Sequence, residues 1–154
     1  MSAEPESPKR VYPPAYLLLA VVLMACLHVL VPVRRIIPAP YRYLGLMAVA
    51  AGVLLVVSVA AMFRRAGTTI RPFETSSVLV VRGPYRFTRN PIYLGMVCAL
   101  VGVALLAGSL TPFLVIPAFA YLIDRRFIRA EEAMLEQTFG PQYADYTTRV
   151  RRWL

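Results

Sequence analysis

Two short stretches hold most of the residues that could do chemistry. The first, Arg82-Gly83-Pro84-Tyr85-Arg86-Phe87-Thr88-Arg89-Asn90-Pro91-Ile92-Tyr93-Leu94-Gly95, passes from a basic segment into an apolar one. Gly83-Pro84 signals a turn, Asn90 is a favoured N-cap, and Pro91 suits a first helical position, where a missing N–H is no loss. A helix is therefore predicted from Pro91. Its N-terminus carries partial positive charge and unpaired N–H groups, with Arg82, Arg86 and Arg89 close by, so it is suited to an anionic group such as a carboxylate or phosphate. The second stretch, Asp124 to Glu136, places Glu131 and Glu132 side by side on a predicted helix. Together the two suit a zwitterion with a cationic centre: its carboxylate at the helix start, its ammonium or sulfonium at a glutamate. Each stretch alone has a plainer reading. The glutamates and arginines could be a solvated helix face, the arginines membrane anchors, and Tyr85, Tyr93, Tyr143 and Tyr146 an interfacial aromatic belt.

The elements that must position these residues are set by composition. Of 154 residues 58% are hydrophobic and the mean hydropathy is +0.60, too apolar for an ordinary soluble protein. The formal net charge of +9 is spread over the ends of apolar runs, which fits membrane topology and not a nucleic-acid surface. Cys26 and Cys98 both lie inside apolar runs, so neither a disulfide framework nor a metal site is indicated.

An all-α integral membrane protein with about four spans is expected, near 14–31, 43–63, 91–107 and 111–128, the last two forming a tight hairpin through Gly108-Ser109. Residues 1–12 read as a disordered tail and 13–154 as a single domain. Ala15 to Val31 superficially resembles a secretory signal, but Pro32 follows in place of a small-residue cleavage site. His28 within it is expected to pack or to make an interfacial hydrogen bond. Pro32, Pro38 and Pro40 predict a non-helical first connection, Ala66 to Val81 an interfacial loop, and Pro117 a bend in the fourth helix. Ala48 and Gly52, Gly95 and Ala99, and Cys98 and Gly102 are spaced to let helices approach closely. Phe139-Gly140-Pro141 should end the helix carrying the glutamates. Beyond it Tyr143, Tyr146, Val150 and Trp153 among arginines suit an interfacial helix at the headgroups.

With both termini and the second connection in the cytoplasm, fourteen basic residues lie inside and three outside. The two stretches then share the cytoplasmic side. A short hairpin joins their helices, so they should face each other across a cleft spanning 78–95 and 125–146.

Arg82-Gly83-Pro84-Tyr85, then Arg89-Asn90-Pro91-Ile92-Tyr93-Leu94-Gly95, then Glu131-Glu132 with Leu135, Phe139-Gly140, Tyr143 and Tyr146, resemble the isoprenylcysteine carboxyl methyltransferase and phospholipid methyltransferase superfamily. The likeness runs from Val78 to Trp153, while the first two spans match only in kind. It implies a membrane enzyme, of the short kind found in bacterial inner membranes, that binds S-adenosylmethionine, a zwitterion of the type described, and releases S-adenosylhomocysteine. By position, Tyr85, Asn90, Pro91, Tyr93, Gly95, Arg129, Glu131 and Glu132 would contact the cofactor. Glu132, as a base, and Arg89 would be catalytic, with Arg89 or Arg129 holding a carboxylate. Many relatives have histidine where this chain has Asn90, which cannot act as a base near neutral pH.

The acceptor is expected to be a lipophilic small molecule or membrane lipid bearing a thiol, carboxylate or amine. Monomer is the default state, and no nucleic-acid partner is expected. Two rival classes remain. A small four-helix transporter would commonly carry a carboxylate within a span, and Ala15 to Val31, Tyr43 to Phe63, Ile92 to Ala107 and Phe113 to Ile123 contain none. A noncatalytic membrane scaffold would have no use for the paired glutamates.

Overall fold

The structure, a computed structural model, describes residues 12–31, 33–65 and 79–154. The expected tail up to residue 11, Pro32, and residues 66–78 of the expected interfacial loop lie outside the described residues.

Proline and glycine set most of the helix boundaries. Helix α1 (Pro13–Leu30) starts on Pro13, and the one-turn α2 (Ala39–Arg42) has Pro38 as its N-cap residue and Pro40 in its first turn. The first connection is thus partly helical where a non-helical one was expected, because proline suits the opening turn of a helix as well as it breaks a helix interior. Helix α3 spans Leu44–Arg65, and α4 spans Pro91–Ala107, starting where Asn90-Pro91 predicts. Gly108, at φ 71°, ends α4 in the left-handed conformation.

From there one helical column runs to Phe139. It comprises a 3-10 turn (Thr111–Leu114), α5 (Val115–Ile123), a π turn (Asp124–Ile128) and α6 (Arg129–Phe139). Pro117 sits in the first turn of α5, where its lost N–H costs little, and the column departs from α geometry on either side of that helix. Gly140, at φ 48°, breaks the column, and α7 (Pro141–Arg149) follows. Among the described residues the regular structure is all helical, apart from an isolated bridge between Arg35 and Ser109.

The tightest packing is between α3 and α4. A Cβ on Gly102 would lie 2.6 Å from the Gly45 carbonyl oxygen, and one on Gly95 2.8 Å from that of Gly52. Four glycines therefore form one seam, and Cys98 Sγ donates to the Ala48 carbonyl across it at 3.3 Å. The expected close approach is present, with Gly45 as an added member. Helix α1 lies against α4 and α5, burying Ala20 and Met24 in a cluster with Met96, Leu100, Phe119, Ile123 and Ile128. Outward faces stay apolar: Leu18, Leu19, Leu30, Leu46, Met47 and Leu54 are exposed. Helix α1, and α2 with α3 taken together (Ala39–Arg65), are long and apolar enough to cross a membrane.

One end of the bundle is fixed by polar contacts. Ile36 N–H donates to the Gly108 carbonyl at 2.9 Å and Leu110 N–H to the Arg34 carbonyl at 3.1 Å, docking the first connection on the hairpin turn. His28 Nδ1 and Ser109 Oγ hydrogen-bond at 2.7 Å, which gives the lone histidine the polar partner expected of it. Ser109 is 0% exposed, so His28→Ala strands a buried hydroxyl. The expected result is a loss of about 1 kcal/mol of stability, read as a lower melting temperature in detergent, with no effect at the opposite end of the bundle.

Candidate functional site

The opposite end assembles the residues that sequence singled out. The chain enters α4 through a 3-10 turn, Gly83–Arg86, in which the Tyr85 ring meets Phe63 of α3 edge-on at 5.9 Å and the Tyr85 carbonyl accepts the Tyr146 hydroxyl at 2.7 Å. Burial, with Glu131 and Tyr146 adding, holds the Tyr85 phenol well above its ordinary range. Asn90 occupies the N-cap position, and its carbonyl takes the Leu94 N–H at 2.9 Å. Its side chain does not cap the helix, contrary to expectation. Nδ2 donates instead to the Arg152 carbonyl at 3.0 Å, so the amide is oriented by the C-terminal segment and not by the helix N–H groups. Pro91 is buried at the first helical position. The start of α4 thus lacks a side-chain cap among the described residues.

Across the cleft, Glu131 and Glu132 open α6, and their surroundings differ. Glu131 Oε1 accepts the Tyr93 hydroxyl at 2.5 Å, beneath the Phe127 ring, whose centroid is 6.4 Å from that of Tyr93. Burial first, and the neighbouring Glu132 charge second, push the Glu131 carboxyl up to about 7, against the opposing Tyr93 hydrogen bond. Glu132 is gripped by Arg152, with Nε donating to Oε1 at 3.1 Å and Nη2 to Oε2 at 2.5 Å, while Arg89 Nη2 lies 3.5 Å from Oε1. Tyr143 stands beside both groups, its phenol pushed up to about 12, chiefly by burial.

The raised Glu131 value has a measurable consequence. Folded Glu131 keeps its proton to about pH 7, whereas its unperturbed value is 4.5, so the folded state binds more protons in between and stability falls as pH rises from 4.5 to 7. Above 7 the loss is complete. Glu131→Gln keeps an acceptor for Tyr93 and cannot titrate. Its melting temperature should vary less over that window, with the variant gaining on the wild type by about 1–3 kcal/mol at the upper end.

Not every expected contact is in the cleft. The Arg129 side chain is 51% exposed and pairs with Asp124 at 2.9 Å, so Asp124 holds it on the outer face of the column. Gly95 belongs to the α3 seam, where its missing side chain admits the Gly52 carbonyl. The structure brings together Tyr85, Arg89, Asn90, Pro91, Tyr93, Glu131 and Glu132. Sequence reasoning missed Thr88, Asp124 and Arg152. The only signal for Arg152 was its place among the C-terminal arginines, read as headgroup contacts. Tyr143 and Tyr146 turn inward from α7, and Trp153 packs on the buried cluster, so the segment serves the site as well as any surface.

A family model described as phospholipid methyltransferase matches residues 41–142, two-thirds of the chain, covering α3 to α6 and with them both halves of the cleft. The chain belongs to the phospholipid methyltransferase family. As a family member with two helices long and apolar enough to span a bilayer, it is a membrane methyltransferase. An uncharacterized protein of Haemophilus influenzae is 35% identical over 63 residues, which are all of that protein and 41% of this chain.

The family's methyl donor can be tested against the residues present. Arg89 Nε is buried without an acceptor among the described residues. An amino-acid carboxylate between it and the start of α4 would satisfy that orphaned donor. Two carboxyls, one paired with a guanidinium and one in an apolar aromatic setting, offer a cation both charge and rings. The donor set fits a zwitterionic sulfonium compound.

Proposed function

We propose that the protein transfers a methyl group from S-adenosylmethionine to a lipophilic or membrane-embedded acceptor at the cytoplasmic face of the membrane. The observation that carries the reading is the orphaned Arg89 Nε beside the uncapped start of α4, opposite the Glu131-Glu132 pair. Arg89 and the first N–H groups of α4 hold the carboxylate of the cofactor, and Glu132 its cationic portion. When bound, the cofactor supplies an electrophilic methyl on a sulfonium, which requires in-line attack and no metal.

The protein's own contribution is positioning, exclusion of water and charge. Tyr93, Phe127 and Tyr143 wall the cleft with rings, keeping the charges in low dielectric. Glu131, whose carboxyl titrates near neutrality, is better suited than Glu132 to accept a proton from an acceptor thiol or amine. Glu132 is charge-paired already, so in this reading the base role falls to Glu131 in place of Glu132.

Residues 13–154 form one domain in this reading, with α1, α2 with α3, α4 and the column from Thr111 to Ile128 crossing the bilayer. The hairpin turn and first connection lie outside, and the cleft and both termini in the cytoplasm, the arrangement the basic residues favour. The exposed apolar faces of α1 and α3 meet lipid, and a lipophilic acceptor reaches the cleft from the bilayer side. Calorimetric titration of the detergent-held protein with S-adenosylhomocysteine tests the reading. Saturable binding near one equivalent supports it, and no binding by folded protein removes it.

A further inference from the structure

We propose that Arg152 is a positioning residue for this reaction: the C-terminal strap Arg151–Leu154 is latched to the start of α4 so that the Arg152 guanidinium holds Glu132 in a single orientation. The proposal rests on the methyl-transfer reading above and adds a residue beyond the 41–142 stretch that the family model matches.

The strap is held by its backbone. The Arg151 carbonyl accepts the Arg89 N–H at 3.0 Å, and the Arg152 carbonyl accepts Thr88 Oγ1 at 3.1 Å and Asn90 Nδ2 at 3.0 Å. Thr88 and Asn90 are 2% and 7% exposed, so these are interior contacts that a displaced strap would leave unpaired. Thr88 Oγ1 also accepts the Asn90 N–H at 3.2 Å, tying the two donors into one unit. Trp153, the next residue, packs against the buried cluster and fixes the strap from the other side.

The side chain between these anchors meets two elements at once. Besides its two bonds to Glu132 on α6, Nη1 lies 3.4 Å from Asp124 Oδ1 in the π turn. All three guanidinium nitrogens therefore face carboxylate oxygens. A planar fork on a carboxylate fixes its rotation as well as its charge, which an ammonium cannot do. The result is a division between adjacent carboxyls: Glu132 is gripped and aimed by the fork, while Glu131 has, among the described residues, the Tyr93 hydroxyl alone and stays available to exchange a proton. A mere staple would need only charge, and lysine would replace it.

Trp153 is the only tryptophan in the chain and reports strap docking directly. Full-length Arg152→Ala and Arg152→Lys, with Arg149→Ala as control, are titrated with S-adenosylhomocysteine by calorimetry while Trp153 emission and acrylamide quenching are recorded. Arg149 is exposed and pairs only with Asp145 of its own helix among the described residues, so its loss removes equal charge from the same region. Arg152→Ala should weaken binding about 10- to 100-fold and shift Trp153 emission to the red. Arg152→Lys should leave Trp153 docked yet fail to restore affinity, and Arg149→Ala should match the wild type in both. Wild-type affinity in Arg152→Lys, or weakened binding only in variants that also release Trp153, would make Arg152 a staple and overturn the proposal. Absence of binding by the wild type would instead overturn the methyl-transfer reading and the positioning role with it, an outcome separate from loss confined to the variants.

Discussion

Glu132→Ala is expected to abolish measurable S-adenosylhomocysteine binding. The carboxylate faces guanidiniums of Arg152 and Arg89, and its removal leaves two cations pressed together where a cationic ligand must bind. Truncating one partner of a partly buried, hydrogen-bonded charge pair costs about 2–5 kcal/mol, equivalent to a roughly 30- to 4,000-fold loss of affinity. Glu132→Gln separates charge from shape, since it keeps an acceptor for the fork and loses the negative charge. If Glu132→Gln binds as the wild type does, charge at this position is not what holds the ligand. A melting curve for each variant guards against loss through unfolding, and both should stay folded, because the apolar bundle contributes most of the stability and neither variant touches it.

The second large effect is at the opposite extreme of polarity. Gly52→Leu should prevent the bundle from assembling, because a Cβ at this position would overlap the Gly95 carbonyl oxygen and also lie 2.8 Å from the Ala99 backbone nitrogen. The atoms it meets are backbone, which cannot swing aside as a flexible side chain can. Overpacking of this kind costs about 3 kcal/mol or more. The expected readout is aggregation in detergent or a melting temperature too low to measure. Gly52→Ala, with the same Cβ and nothing beyond it, should lie between the two. A Gly52→Leu protein that is folded and binds S-adenosylhomocysteine normally would show that the α3–α4 seam can open without consequence.

The parts of this fold that sequence makes legible are those decided by one or two residues of backbone chemistry. Asn90-Pro91 marks the start of α4, Gly108 the hairpin turn and Gly140 the end of α6, because each imposes a conformation that few alternatives share. The pairing of the two site stretches was also legible, since a short hairpin leaves their helices adjacent. What could not be read depends on partners distant in sequence. Asn90 has the composition of a cap and acts as a latch only because a carbonyl 62 residues away lies within reach. Gly95 stands in a motif suggestive of ligand contact, yet its bare face meets a glycine on another helix. Arg129 and Arg152 are indistinguishable as residue types, and only the turn of α6 sends the first outward and the path of the C-terminal strap carries the second to Glu132. The amphipathic tail was recognised, but the side its tyrosines face depends on what they pack against.

The π turn at Asp124–Ile128 sets that outcome for the whole distal column. A π turn is what an α-helix becomes on accepting one residue more than its hydrogen-bond ladder has room for, and each residue of an α-helix advances the chain by about 100°. Deleting exposed Arg125 would let the ladder close into regular helix, with α5 left in place and everything from Arg129 onward rotated. Glu131 and Glu132 would then leave Tyr93 and Arg152 without any residue of the site having been altered. Seen this way, the cleft depends on a reading frame in three dimensions. One residue more or fewer in this turn decides whether an otherwise ordinary acidic helix is aimed at the start of α4.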